Sequence, residues 1–261
     1  MRINVIGIAA AALSIVACSG GSPSGGNASN FTTVKVEKTV NISQEQGSPQ
    51  CRVSLMLAAA KEGEQAKAIN EAIANRLLNF EGVADLQVAA DSFANTYTKD
   101  YQANIAPLYR EDRNDPEKRP WYEYHYNITS EANTGRKGIT VYTANVEYYE
   151  GGAHGIHQKL IMNFDEKTGQ LLTLSDVFVP GFETTLNGLL LQKLIEQTGA
   201  KDQEDLRARG YLYSMDMFAP ENFSLNDEDV TFVYNPYEIA TYDKGMTELT
   251  IDNDELEGIW K

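Results

Sequence analysis

Polar and apolar residues alternate where the folded sequence begins. Val34, Val36, Val40 and Ile42 fall on one face, and Lys35, Glu37, Thr39 and Asn41 on the other. A period of two predicts a half-buried strand. A Gly47-Ser48-Pro49 turn leads into a second run of this kind, Cys51, Val53, Leu55 and Leu57. The period then lengthens. Ala66, Ile69, Ile73, Leu77 and Phe80 recur at helical spacing and predict an amphipathic helix closed by Gly82. Asp85 stands where it can cap a second helix, whose stripe is Leu86, Ala90, Phe93, Tyr97, Tyr101 and Ile105. Pro107 ends or kinks that helix.

Strand periodicity returns after Trp121. Tyr122, Tyr124, Tyr126 and Ile128 share a face, and Ile139, Val141, Val146 and Tyr148 suggest the paired strand, with the turn at Asn133-Thr134-Gly135. Residues 159–164 and 170–174 flank Asp165-Glu166-Lys167-Thr168-Gly169, which predicts a hairpin. A further helix is expected over residues 182–197, with Phe182, Leu186, Leu190 and Leu194 on its buried face. Val230, Phe232 and Tyr234, then Leu249 and Ile251, supply the last strands. No regular βαβ repeat is present, so the pattern predicts an α+β fold. Two N-terminal helices and one longer helix from the C-terminal half should pack on a largely antiparallel sheet.

The head of the chain reads differently. Arg2 precedes an apolar run from Val5 to Val16 that ends in Ile15-Val16-Ala17-Cys18. The run is short of the ~20 apolar residues that span a bilayer, and it suits the core of a secretory signal peptide. The last four residues form a lipobox, which makes Cys18 the acylated first residue of the mature chain. The alternative is an ordinary cleaved signal with an incidental cysteine. Residues 19–30 are rich in Gly and Ser, and predict a flexible tether with a reach on the order of 20 Å. The expected organisation is a signal peptide over 1–17, a tether over 18–30, one α+β domain over 31–115 and a second over 116–261. The expected location is the cell envelope, on a membrane held through Cys18. Ser19 after the cysteine points to the outer membrane or periplasmic face if the cell is Gram-negative. With Cys18 acylated, Cys51 has no disulfide partner and should face a core as a small apolar residue.

The net charge of −15 makes nucleic acid and anionic lipid headgroups poor partners. Removing residues 1–17 takes away only one charged residue, Arg2, and so deepens the imbalance. The same field attracts a cationic protein, although an acidic surface also serves solubility alone. His154-x-x-His157, with Asp165 or Asp176, is the one arrangement that suggests a metal site. Its glycine-rich loop has no regular spacing to aim both rings at one point, so no metal is expected. Asp252-Asn253-Asp254-Glu255 resembles a calcium loop only in composition, because Glu257 stands where such a loop needs glycine. No G-x-S-x-G, Walker, H-E-x-x-H or G-x-G-x-x-G motif occurs. No cofactor and no enzymatic activity are expected. A hydrolase using paired carboxylates stays open only because 37 acidic residues discriminate nothing.

Three segments carry a resemblance. They are Tyr149-Glu150-Gly151-Gly152-Ala153-His154-Gly155; Asn163-Phe164-Asp165 through Thr168-Gly169 to Leu172-x-Leu174-x-Asp176-Val177-Phe178; and Phe232-x-Tyr234-Asn235-Pro236-Tyr237-Glu238-Ile239-Ala240-x-Tyr242-x-x-Gly245. Together they resemble the domain of unknown function shared by RsiV-type anti-sigma factors and PdaC-type peptidoglycan deacetylases. Residues 31–112 look like the smaller domain that precedes it there. The resemblance implies an envelope role: a receptor for lysozyme in the first group, an accessory to a separate catalytic domain in the second. It also implies that this chain presents the shared, non-catalytic part on a lipid anchor. The residues marked for ligand contact are Tyr149, Glu150, Gly151, Gly152, His154, Asn235, Tyr237 and Tyr242. The ligand is a cationic protein such as lysozyme, or alternatively a cell-wall glycan. A structural role for the same residues, with Gly151-Gly152 making a tight turn and Asn235-Pro236 another, is the competing account.

Overall fold

The computed structural model describes residues 30–261. The signal segment, Cys18 and nearly all of the Gly/Ser stretch lie outside the described residues. The two alternating runs form an antiparallel pair, β1 (Phe31–Asn41) and β2 (Gln50–Ala60), in full register from Phe31 opposite Ala60 to Asn41 opposite Gln50. Helix α1 (Glu64–Leu78) follows. It buries Ala66, Ile69, Ile73 and Leu77 as its spacing predicted, but it closes on Asn79, held in the left-handed conformation, rather than on Gly82. Asparagine tolerates that conformation through its short polar side chain. Phe80 accordingly lies outside the helix and packs on the core from the turn.

Asp85 caps α2 (Leu86–Asp100) as expected, its carboxylate accepting from the backbone N–H groups of Gln87 and Val88. Pro107 does not end the helix. The chain widens into a π turn at Tyr101–Ile105 and then continues as α3 (Ala106–Asp112) with the proline in its first turn, where a missing N–H costs nothing.

The next strand, β3 (Tyr124–Thr134), pairs parallel with β2, Cys51 standing opposite Tyr124, because α1 to α3 carry the chain back across the sheet. Tyr122 sits just ahead of it in a short 3-10 turn, not in the strand. Strands β4 (Ile139–Tyr149), β5 (Ile156–Asp165) and β6 (Leu171–Leu172) then add antiparallel neighbours, giving a six-stranded sheet in the order β1 to β6. The β3–β4 connection is Gly135 to Gly138, so Asn133 and Thr134 belong to the strand. At the β5–β6 hairpin the Asp165 carboxylate accepts from the N–H groups of Lys167 and Thr168.

The last third builds a second layer. Helices α4 (Leu174–Val177), α5 (Glu183–Thr198) and α6 (Gln203–Ala208) cover a separate antiparallel sheet of β7 (Phe223–Leu225), β8 (Asp229–Tyr234) and β9 (Thr247–Asp252). The expected long helix therefore packs against β9 of this smaller sheet rather than on the large one. Its stripe of Phe182, Leu186, Leu190 and Leu194 is buried against Phe232, Leu249 and Ile251, each side chain contributing about 1.5–3 kcal/mol. The Leu172-x-Leu174-x-Asp176 motif is a helix start. Thr173 and Asp176 form a reciprocal capping box.

Two large apolar clusters result, besides a small one of Val141, Ile161 and Val233 drawn from β4, β5 and β8. One runs from Val36 to Phe164 beneath α1 and α2, and the other from Leu174 to Ile259. Sheet and first cluster continue across residue 115 without a break, and the change of core falls between Phe164 and Leu174. Among the described residues no helix is long and apolar enough to cross a membrane.

The two layers are joined by the small Val141, Ile161 and Val233 cluster, by the Arg136 N–H on the Leu225 carbonyl, and by asparagine carboxamides. Asn163, 1 % exposed, donates to the Phe223 carbonyl at 2.8 Å and accepts from the Leu225 N–H at 2.9 Å. Asn163→Ala leaves both backbone groups unpaired in the interior and should lower stability by about 2–4 kcal/mol in urea unfolding. A loss under ~1 kcal/mol would show that the junction does not depend on this side chain. Cys51 is fully buried, and burial pushes its thiol up to about 12. In a Cys18→Ser background it should resist maleimide at pH 8 until the protein is unfolded.

Candidate functional site

The two sequence segments marked for ligand contact meet in space. The loop after β4 carries Glu150, Gly151, Gly152, Ala153 and His154, and the turn after β8 carries Asn235, Pro236, Tyr237 and Glu238. The His154 ring stacks on Tyr242, with centroids 4.8 Å apart and planes 19° from parallel. Tyr242 in turn stacks on Tyr237 at 5.4 Å and 30°. The Tyr242 hydroxyl donates to the Gly155 carbonyl at 2.7 Å, which ties the two loops by a hydrogen bond as well as by ring contact.

Asn235 is placed as a support. It is 4 % exposed, accepts from the Lys159 N–H at 2.7 Å and donates to the Lys159 carbonyl at 3.1 Å. Its own N–H is taken by the Glu238 carboxylate at 2.7 Å, and Glu238 returns a bond to the Asn235 carbonyl. This closed turn leaves Tyr237 at its tip with φ +74°, a left-handed backbone that a bulky residue adopts at a cost. The Tyr237 side chain is 62 % exposed. Strain and exposure at the same aromatic residue single it out from the tyrosines that close the cores.

The glycine loop is shaped by close approach. Gly151 has φ +83°, and a Cβ there would come within 2.7 Å of the Trp121 carbonyl oxygen. Gly152 has φ +90° with open space around it. The Tyr149 hydroxyl donates to the Gly152 carbonyl at 2.8 Å, and its ring lies 6.0 Å from His125. The histidine pair is split. His157 is in β5 opposite Glu147, while His154 lies in the preceding loop with its ring against Tyr242.

Glu150 points to another place. Its carboxylate accepts from the Tyr97 hydroxyl at 2.8 Å, at the mouth of a cleft of about 300 Å³ between α2, the π turn and the end of β4. Burial and this hydrogen bond both raise the Tyr97 phenol, so it stays protonated and donating. Tyr101 and Tyr124 form further walls. Periodicity had placed Tyr97 and Tyr101 on the core stripe of α2; the cleft arises because that stripe ends in aromatic residues beside a widened turn.

A second feature had no signature in the sequence. Leu212 is another non-glycine residue with positive φ, +49°, and its N–H donates to the Ile239 carbonyl at 2.7 Å. This contact brings the segment after α6 alongside the Tyr237 turn. That segment exposes Tyr213, at 83 %, with Met215 and Phe218. In the linear sequence this segment resembles any solvated loop, and only the fold shows that Phe218 packs on Tyr234 and lines a common pocket with Glu238.

Residues 175–254 match the model of a protein family of unknown function, DUF3298. The match begins inside α4 and ends just after β9, so it covers most of the second core and the Tyr237 turn, and leaves out the glycine loop. Among solved structures, the chain is similar to a member of the DUF3298 family from Bacteroides fragilis NCTC 9343, with a TM-score of 0.79 and 26 % identity over 88 % of this chain and 93 % of that one. It also shares its fold with a DUF3298 family protein from Pseudomonas aeruginosa PAO1, at a TM-score of 0.55 and 19 % identity over 88 % and 94 % of the two chains. No curated protein matches it.

The loop geometry makes a graded prediction. Gly151→Ala should destabilise more than Gly152→Ala, by about 1–3 kcal/mol, because only the first drives a Cβ into a backbone oxygen. Thermal unfolding of the two variants checks the order. Equal losses would mean that positive φ alone shapes the loop.

Proposed function

We propose that this protein is a binding module of the cell envelope, anchored through acylated Cys18, that captures a cationic protein of the lysozyme type on the face around Tyr237. The observation that carries this reading is the outward-facing, backbone-strained Tyr237, held in a stack with Tyr242 and His154. An aromatic ring fixed before binding loses little freedom on contact and offers both an apolar face and a polar tip. Tyr213, Met215 and Phe218 are further exposed apolar side chains on the segment that Leu212 ties to Ile239, and tyrosine and methionine are enriched at protein interfaces. The net charge of −15 supplies the complementary field for a cationic partner and would raise the association rate. The resemblance to RsiV-type receptors supports the same class of ligand. A lipid anchor holds such a module at the membrane surface and carries no signal across the bilayer, so capture is the role that fits it.

Stacked tyrosines also favour a second ligand class, a cell-wall glycan laid against the ring faces. Salt separates the two. Binding to hen lysozyme should weaken at least severalfold between 50 and 300 mM salt, while glycan binding should change little. Tyr237→Ala should raise the lysozyme Kd roughly tenfold or more with the fold intact. Absence of binding at low ionic strength, or an unchanged Kd in the variant, removes the protein-capture reading.

A further inference from the structure

The cleft under Glu150 is separate from the Tyr237 stack and has its own chemistry. Two of its walls are the rings of Tyr101 and Tyr124, with centroids 5.1 Å apart and planes inclined by 50°. Tyr97 closes a third side. Its ring is held by Phe93 at 5.8 Å and Tyr126 at 5.1 Å, and the Tyr101 hydroxyl is tied to the Tyr122 carbonyl at 2.7 Å. The rings are therefore fixed before any ligand arrives. They meet as the sides of a corner, and provide no single flat platform on which a sugar ring could lie.

The polar groups at the rim are one-sided. Asp100 and Glu150 contribute carboxylates and Asn104 an amide, all exposed, and no lysine or arginine lines the cleft. Among the described residues no basic side chain pairs with either carboxylate, whereas Asp112, Glu123 and Glu255 each hold a lysine or arginine. The Tyr97 hydroxyl engages Glu150 Oε1 and fixes the carboxylate at the mouth. The π turn that shapes the opposite wall is a device often found at binding sites, since it displaces side chains that a regular helix would hold inward.

Electron-rich ring faces with a carboxylate at the mouth recognise a cation, and a volume of about 300 Å³ suits a slender one. We propose that this cleft binds an alkylammonium group, its methylene stem laid along the corner where Tyr101 and Tyr124 meet and its charged head at Glu150. The group could belong to a free amine or to the lysine side chain of a protein. This site stands independently of the Tyr237 face.

The test is a titration of the full chain, followed by the ring-proton NMR signals of its tyrosines. The probes are 1,5-diaminopentane, N-acetyl-lysine methylamide, and N-acetyl-norleucine methylamide, which is the uncharged counterpart of the lysine probe. Saturable shifts with either amine and none with the norleucine probe are expected. Glu150→Gln should weaken the amine roughly fivefold or more, while Tyr237→Ala should leave it unchanged. Binding of the diamine alone identifies a free amine, and binding of the blocked lysine identifies a protein side chain. Equal binding of norleucine, loss of amine binding in Tyr237→Ala, an unchanged affinity in Glu150→Gln, or no saturation with either amine overturns the proposal.

Discussion

The open edge of β5 is the constraint on which the second half of the molecule depends. Strand β6 covers only Asn163 and Phe164, so the backbone around Lys159 and Ile161 would face outward unpaired. Unpaired strand edges are a liability, and buried backbone groups without partners are costly. Here side-chain amides take the place of a neighbouring strand. Asn235 engages both backbone groups of Lys159. Asn222 accepts from the Ile161 N–H at 2.7 Å and donates to the carbonyls of Lys159 at 2.8 Å and Val233 at 3.0 Å. A carboxamide has a donor and an acceptor spaced much like a peptide group, which is why asparagine can do this and an apolar residue cannot. Asn70 uses the same device at the end of β2, pairing with both backbone groups of Ala60.

The consequence reaches the surface. Because Asn235 is held on Lys159, the turn that follows it has a fixed orientation, and Tyr237 is displayed at a defined height above the sheet. The glycine loop meets it from the other side through His154, Tyr242 and Gly155. Each loop alone would be an ordinary mobile connection on a rigid scaffold. Joined, they present an ordered aromatic face whose backbone strain is carried by hydrogen bonds buried beneath it.

The same economy of parts shapes the step from β4 into the glycine loop. Glu150 is adjacent in sequence to the glycine loop, yet its carboxylate turns toward α2 and the tyrosines there. The two faces thus share a short stretch of chain but no side chain. Most of the second core, with its helices and the Tyr237 turn, coincides with the DUF3298 match, and the alignment with the Bacteroides fragilis structure extends over both cores. The two layers therefore recur together in a related molecule.

Most of the elements were legible in the residue pattern because amphipathic periodicity records which side of an element is buried. The β1–β2 pair, the stripes of α1, α2 and α5, the Asp85 cap and the β5–β6 hairpin are all local consequences of spacing and turn chemistry. Where the pattern misled, local backbone geometry or a distant partner had overridden it. Pro107 is accommodated by a π turn; Asn79 closes α1 before Gly82 is reached; and the long helix finds a second sheet. The sequence by itself determined the mixed α+β class, the negative field and the residue types available for contact. Only the tertiary structure decided that Tyr237 would face outward, that Asn235 would be buried beneath it, and that Tyr97, Tyr124 and Glu150 would enclose a cleft. Those outcomes depend on hydrogen bonds and ring contacts between residues tens of positions apart, and linear periodicity contains no record of such pairings.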